Sequence, residues 1–201
     1  MVGSQPCGSS VPRPRDPSGP DGRTRHWYED ELGWPTAPGQ PVRLLVGRRF
    51  DVLDVPARAG RAALCRLGPG SPVAVQGDRM RLLVAAGSAE ELPGLLEWLE
   101  WGRLVPDLVA LGAGALMDAP PPPYAAPARE RPRVGRQRAQ GAAAWLRPPR
   151  PGREVEASLP ALPAVGGAGD APDLVRLVDT VATQCHRIRL LRGCAQPLAF
   201  S

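Results

Sequence analysis

Lysine is absent from this chain: all 25 basic residues among its 201 are arginine. With so much Ala, Gly and Pro alongside, a GC-rich genome explains this better than a selected chemistry. The arginine total is therefore no nucleic-acid signature by itself. Histidine is nearly absent too, with only His26 and His186. Cys7, Cys65, Cys185 and Cys194 form no C-x-x-C pair, so no zinc-ligand spacing is present. In a reducing compartment these cysteines need no bridges. No apolar run approaches the roughly 18 residues that span a bilayer. Residues 1–25 lack the apolar stretch of a secretory signal. The expected location is cytoplasmic, with no membrane partner. The motifs G-x-x-x-x-G-K-S/T, G-x-G-x-x-G, H-E-x-x-H and G-x-S-x-G are all missing. A catalytic triad has no support, and His186 beside Cys185 reads as an exposed helix residue next to a core cysteine.

What remains is unevenly distributed. The 26 Pro and 23 Gly are concentrated toward the ends, whereas Leu and Val fill the middle. The length suits one domain with one sizeable core. Charge is uneven as well. From His26 to Asp118, nine Arg face twelve Asp and Glu, a balance of −3. The first 25 residues carry +2, and the chain from Ala119 onward carries +6. A mildly acidic core with basic flanks follows, so any electrostatic affinity for nucleic acid is expected from a flexible arm.

Residues 1–25 read as a disordered tail, 26–123 as the folded core and 124–140 as a Pro/Arg-rich linker. Residues 141–159 read as a returning-strand region, 160–170 as a flexible linker and 171–192 as a C-terminal helix. Within the core, a short helix ends at Gly33. Val42–Val46 and Phe50–Val55 suggest adjacent strands, and Ala57–Leu67 has helical spacing. Pro72–Gln76 and Met80–Ala86 flank Gly77-Asp78-Arg79, which suits a hairpin. Ser88 with Glu91 has capping-box spacing; Leu92, Leu95, Leu96 and Leu99 then line a helix running to Gly102. Leu108–Leu111 and Ala115–Met117 suggest two more strands, and Pro120–Pro123 an extended polyproline stretch. Asp170 is placed to cap the last helix, with Pro172 in its first turn. Leu174, Leu177, Val178, Val181, Cys185 and Ile188 form its apolar side. The expected class is α+β: a mixed sheet with packed helices and disordered Arg/Pro-rich flanks.

Two acids stand at strand ends, Asp54 closing Phe50–Val55 and Asp107 opening Leu108–Leu111. Carboxylates so placed can converge at a sheet edge and hold Mg²⁺ with a triphosphate; each also suits a turn or cap. Gly33-Trp34-Pro35-Thr36, the strand Phe50-Asp51-Val52-Leu53-Asp54-Val55-Pro56, and Gly77-Asp78-Arg79-Met80-Arg81-Leu82-Leu83 follow one another along the chain. Asp107-Leu108-Val109 with Gly112-Ala113-Gly114, then Ala119-Pro120-Pro121-Pro122, and finally Gly141 through Trp145 come after them. In this order the segments resemble the N-terminal domain of bifunctional DNA primase/polymerases, the prim-pol fold related to archaeo-eukaryotic primases. The resemblance covers residues 26–147.

The resemblance implies a nucleotidyltransferase site with Asp54 and Asp107 as acids and metal ligands for Mg²⁺ or Mn²⁺. It implies Arg79 and Arg81 near the nucleotide phosphates. It also exposes departures: the second acid position is Pro56 and the family's histidine position is Met80. Asp51 should point to the opposite strand face from Asp54 and cannot replace the missing acid. Two-metal transfer needs carboxylates enough to hold two cations, so the expectation is a catalytically silent domain that keeps a nucleotide or nucleic-acid groove. Two alternatives stand beside it. One is an active primase/polymerase with a reduced metal site; the other is a non-catalytic scaffold that meets a protein partner through the C-terminal helix. Arg129, Arg131, Arg133, Arg136 and Arg138, opposed only by Glu130, are the candidate nucleic-acid contacts of the linker.

Overall fold

The computed structural model describes residues 19–125, 141–152, 155–162 and 173–194. The tail before residue 19, linker residues 126–140 with their five arginines, the stretch 163–170, and Pro172 lie outside these residues.

In chain order the elements are α1 (Pro20–His26), β1 (Thr36–Ala37), β2 (Arg43–Leu45), β3 (Asp51–Pro56) and α2 (Ala57–Ala63). There follow β4 (Val73–Gln76), β5 (Arg79–Val84), α3 (Ser88–Trp98), β6 (Val109–Leu111), β7 (Leu116–Asp118), β8 (Ala144–Arg147) and α4 (Leu174–Cys194). The class is mixed α+β. In place of one mixed sheet there are two antiparallel sheets, five strands in the order β6-β3-β5-β4-β8 and three in the order β1-β2-β7. The β4–β5 hairpin forms as its Gly77-Asp78 turn predicts. β3 sits between β5 and β6, which brings the strand of Asp54 beside that of Arg79 and Arg81 and beside the one that follows Asp107.

Strand alternation gives the five-stranded sheet two different faces. Leu53, Val55, Met80, Leu82 and Val84 face α2, α3 and α4 and form one core with Leu92, Leu95, Leu177, Val181 and Cys185. The apolar stripe expected on α4 is buried along its whole length. The opposite face carries Val52, Ala74 and Leu83, which pack with Leu44 and Met117 of the small sheet and with Trp27, Tyr28, Trp34 and Phe50. Tyr28 donates to the Pro120 carbonyl at 2.7 Å and accepts from Trp145 Nε1 at 2.9 Å. These two bonds tie the turn that follows α1 to the segment after β7 and to β8, and burial pushes the Tyr28 hydroxyl pKa upward.

Several expectations are corrected. α1 begins at Pro20, inside the stretch read as tail; Pro in its first turn, Asp21 there and basic residues in its last turn all favour it. It runs on as a π-helical turn, Trp27–Glu31, and Gly33 then takes φ +66°. β2 and β3 do not form a hairpin. β2 pairs with β1 and β7, and the link at Gly47 crosses between sheets. Gly47 has φ +87°, and a Cβ there would lie 2.3 Å from Ala113 Cα. Only glycine lets the 112–114 turn pass so close. β6 and β7 therefore diverge into different sheets. Residues 120–122 lie in no helix or strand, and only Pro123 departs from the expected extended stretch, in a 3₁₀ turn, Pro123–Ala125. α3 ends at Trp98 rather than Gly102, with Glu100 at φ +62°. Ser88 does not cap α3; Asp51 of β3 does so from a distance in sequence. α4 is capped by Asp173, whose Oδ1 accepts from the Val175 and Arg176 amides at 2.8 and 3.3 Å.

Candidate functional site

Asp54 lies on β3 opposite Arg81 of β5 and Val109 of β6. Its side chain shares the sheet face of Val52, away from the helices. Arg79, two residues before Arg81, shares that face as well. Arg79 Nε donates to Asp54 Oδ1 at 2.6 Å, and Arg79 Nη2 donates to the carbonyls of Asp54 and Asp107 at 2.8 and 3.0 Å. Arg81 Nε approaches Asp54 Oδ2 at 3.5 Å. One guanidinium thus ties the two acid-bearing strands together. Asp54, Arg79, Arg81 and the Asp107 backbone converge.

The chemistry at Asp54 is that of an ion pair. Its side chain is only 16% exposed, and Arg79 and Arg81 are 30% and 15% exposed. Both carboxylate oxygens face arginine nitrogens. Charge-assisted bonds of this kind are stronger than neutral ones, and the half-buried setting weakens solvent screening. Two cations on one anion leave the cluster with one net positive charge. Arg81 Nη1 is buried with no hydrogen-bond partner among the described residues. On β4, Gln76 pairs with Arg79. Gln76 Nε2 donates to Asp118 Oδ2 and to the Gly141 carbonyl, both at 2.8 Å, while Gln76 Oε1 is buried without a partner. A polar row therefore crosses this face from Asp118 through Gln76, Arg79 and Arg81 to Asp54.

A two-cation centre does not fit this donor set. Asp54 presents its oxygens to guanidinium groups, Pro56 offers no donor, and Arg79 meets the Asp107 carbonyl. Among the described residues no group of three or more His, Cys, Asp or Glu is placed to hold a metal ion. The register also corrects the reading of Met80. Met80 pairs with Val55 and is fully buried on the helix side. A side chain at 80 therefore points away from Asp54, and the β5 positions that face Asp54 are 79 and 81.

Asp51 does lie on the other face from Asp54. It is 1% exposed, and its Oδ2 accepts from the Ala89 amide at 2.9 Å at the start of α3. Burial raises its pKa, while the Ala89 and Gly87 amides oppose the rise. Sequence reasoning missed Gln76 and Asp118; their partnership spans 42 residues, and no local signal announces it. Cys185 is buried, with its thiol pushed up to about 11 chiefly by burial, which makes it a poor nucleophile. His186 beside it is half-buried against the Trp101 ring, with centroids 5.8 Å apart. A shallow hollow of about 320 Å³ is lined by Glu29, Gly33, Trp34, Pro35 and Thr36, none of them from the Asp54 cluster. Among the described residues no helix is long and apolar enough to cross a membrane.

Compared with protein-family models, with curated proteins and with solved structures, the chain matches none.

Proposed function

We propose that this chain is a prim-pol-like domain without metal-dependent nucleotidyl transfer, which uses the Arg79–Arg81 cluster to hold the phosphate of a nucleotide or nucleic acid. The observation that carries the reading is the surplus of guanidinium at Asp54. One carboxylate answers two arginines, and part of each arginine side chain stays exposed, 30% at Arg79 and 15% at Arg81. Arginine forks match phosphate oxygens in geometry and charge. Asp54 then acts as a positioning anion: it aligns both side chains across neighbouring strands, and it is not a general base. The binding proposed here is independent of Mg²⁺ and Mn²⁺: arginines engage the Asp54 carboxylate and the second acid position is Pro56. A protein partner at the C-terminal helix is a second reading, supported by Leu190 and Leu191, which are 55% and 63% exposed near its end.

The test is calorimetric titration of the full chain with a nucleoside triphosphate, with EDTA present and again with Mg²⁺. Saturable binding of similar strength in both buffers, lost in Arg81→Ser, is expected. Binding only with Mg²⁺, or none in either buffer, overturns the reading.

A further inference from the structure

The outer surface of the helix layer is charged in a way the sheet-face site does not use. From Ala57 to Arg66 the chain contains Arg58, Arg61 and Arg66 and no acid. All three are exposed, while Ala59, Gly60 and Ala63 face the core. α2 packs along α4, and Arg66 Nε donates to Thr180 Oγ1 at 3.3 Å. That contact marks the stripe of α4 beside α2. Two helical turns further along the same stripe stands Arg187, also exposed. Arg58, Arg61 and Arg187 make no ion pair or hydrogen bond among the described residues. The nearby acid of α4, Asp179, is turned toward the α3 side, where Trp101 Nε1 donates to it at 3.0 Å.

We infer that the α2–α4 face is a second, independent surface, one that binds the phosphate backbone of double-stranded nucleic acid without reading sequence. Charge complementarity selects a polyanion. The shape and composition select a duplex. Arg58 and Arg61 lie one turn apart on α2, and Arg66 follows in the 3₁₀ turn Leu64–Arg66 that continues the chain, so the positive charges are spread along the face as backbone phosphates are along a duplex. No large apolar side chain is exposed between Ala57 and Arg66, and the apolar exposure of this face is confined to its far end, where Leu191 follows Arg187 by one turn, so the arginine-bearing stretch lacks the aromatic anchors of a protein interface. It likewise lacks the stacking rings that favour single strands. This face and the Arg79–Arg81 cluster lie on opposite sides of the five-stranded sheet.

The experiment measures binding of a short duplex DNA to the full chain by fluorescence anisotropy over a range of salt concentrations. The variants are Arg58→Ser, Arg61→Ser and Arg187→Ser combined, and separately Arg81→Ser. The five arginines between 129 and 138 stay in place throughout, so the difference in slope reports the helix face alone. Each lost phosphate contact should flatten the log–log salt dependence by about 0.9, so the triple variant should be shallower by roughly two to three units. Arg81→Ser, at the sheet-face site, should flatten the slope by at most about one unit, and that change should add to the change of the triple variant, which separates the two surfaces. A parent protein that does not bind, or a triple variant with the parental slope, overturns the assignment. So does polyglutamate held as tightly as duplex DNA at equal charge, which would make the face a site for acidic protein.

Discussion

A single carboxylate shows how position decides chemistry. Asp51 and Asp54 lie three residues apart on β3 and do unrelated work: one caps a helix from within the core, the other sits among arginines. The pKa of Asp51 is raised mainly by burial. A folded-state pKa above the unfolded value contributes stability at low pH that is lost as pH rises through it. Asp51→Asn keeps an oxygen acceptor for the Ala89 amide and removes the titration. Melting temperature followed from about pH 4 to pH 8 should therefore decline less for Asp51→Asn than for the parent. Asp51→Ala loses the cap altogether and should cost about 1 kcal/mol in urea unfolding.

At the scale of elements, α2 shows why its small residues are where they are. Gly60 presses against β5 so closely that an added Cβ would lie 2.5 Å from Met80 Sδ and 2.9 Å from Met80 Cβ. Met80 is fully buried, and its own Cβ, which cannot swing away, lies among the clashing atoms. Gly60→Ala should destabilise by about 1–3 kcal/mol through overpacking, despite the better helix propensity of alanine. Met80→Ala in the same chain should recover part of that loss, and a double-mutant cycle in urea unfolding measures the coupling. The element boundaries were legible where the signal was local: the β4–β5 hairpin, the α4 stripe and the Leu92–Leu95 face. They were illegible where a distant residue intervened. Ser88 carries the capping-box pattern, yet Asp51 supplies the cap. Val42–Val46 and Phe50–Val55 look like a hairpin, yet Gly47 and the 112–114 turn send them into separate sheets.

At the scale of the molecule, the five-stranded sheet divides two kinds of surface. One side is covered by helices whose outer face is basic along α2 and α4. The other is covered by the small sheet and an aromatic cluster, with the Asp54–Arg79–Arg81 group beside it. On the proposed reading, loss of metal-dependent chemistry is a property of this whole arrangement. Purified chain with template, primer, nucleoside triphosphates and either Mg²⁺ or Mn²⁺ should give no primer synthesis or extension in a gel assay. Sustained incorporation that disappears in Asp54→Ala would show that the arginines release the carboxylate to a cation and would restore the enzyme reading.

The sequence by itself determined the α+β class, the β4–β5 hairpin, the apolar side of α4 and the opposite facing of Asp51 and Asp54. These follow from periodicity and turn chemistry, which act over a few residues. Only the tertiary structure decided that Asp54 spends its charge on Arg79 and Arg81, that Met80 points into the helix core, and that Gln76 meets Asp118. Register across strands fixes which side chains share a face, and no local pattern encodes it. It also took the packing of α2 on α4 to gather Arg58, Arg61 and Arg187, drawn from helices more than a hundred residues apart in the chain, onto one surface.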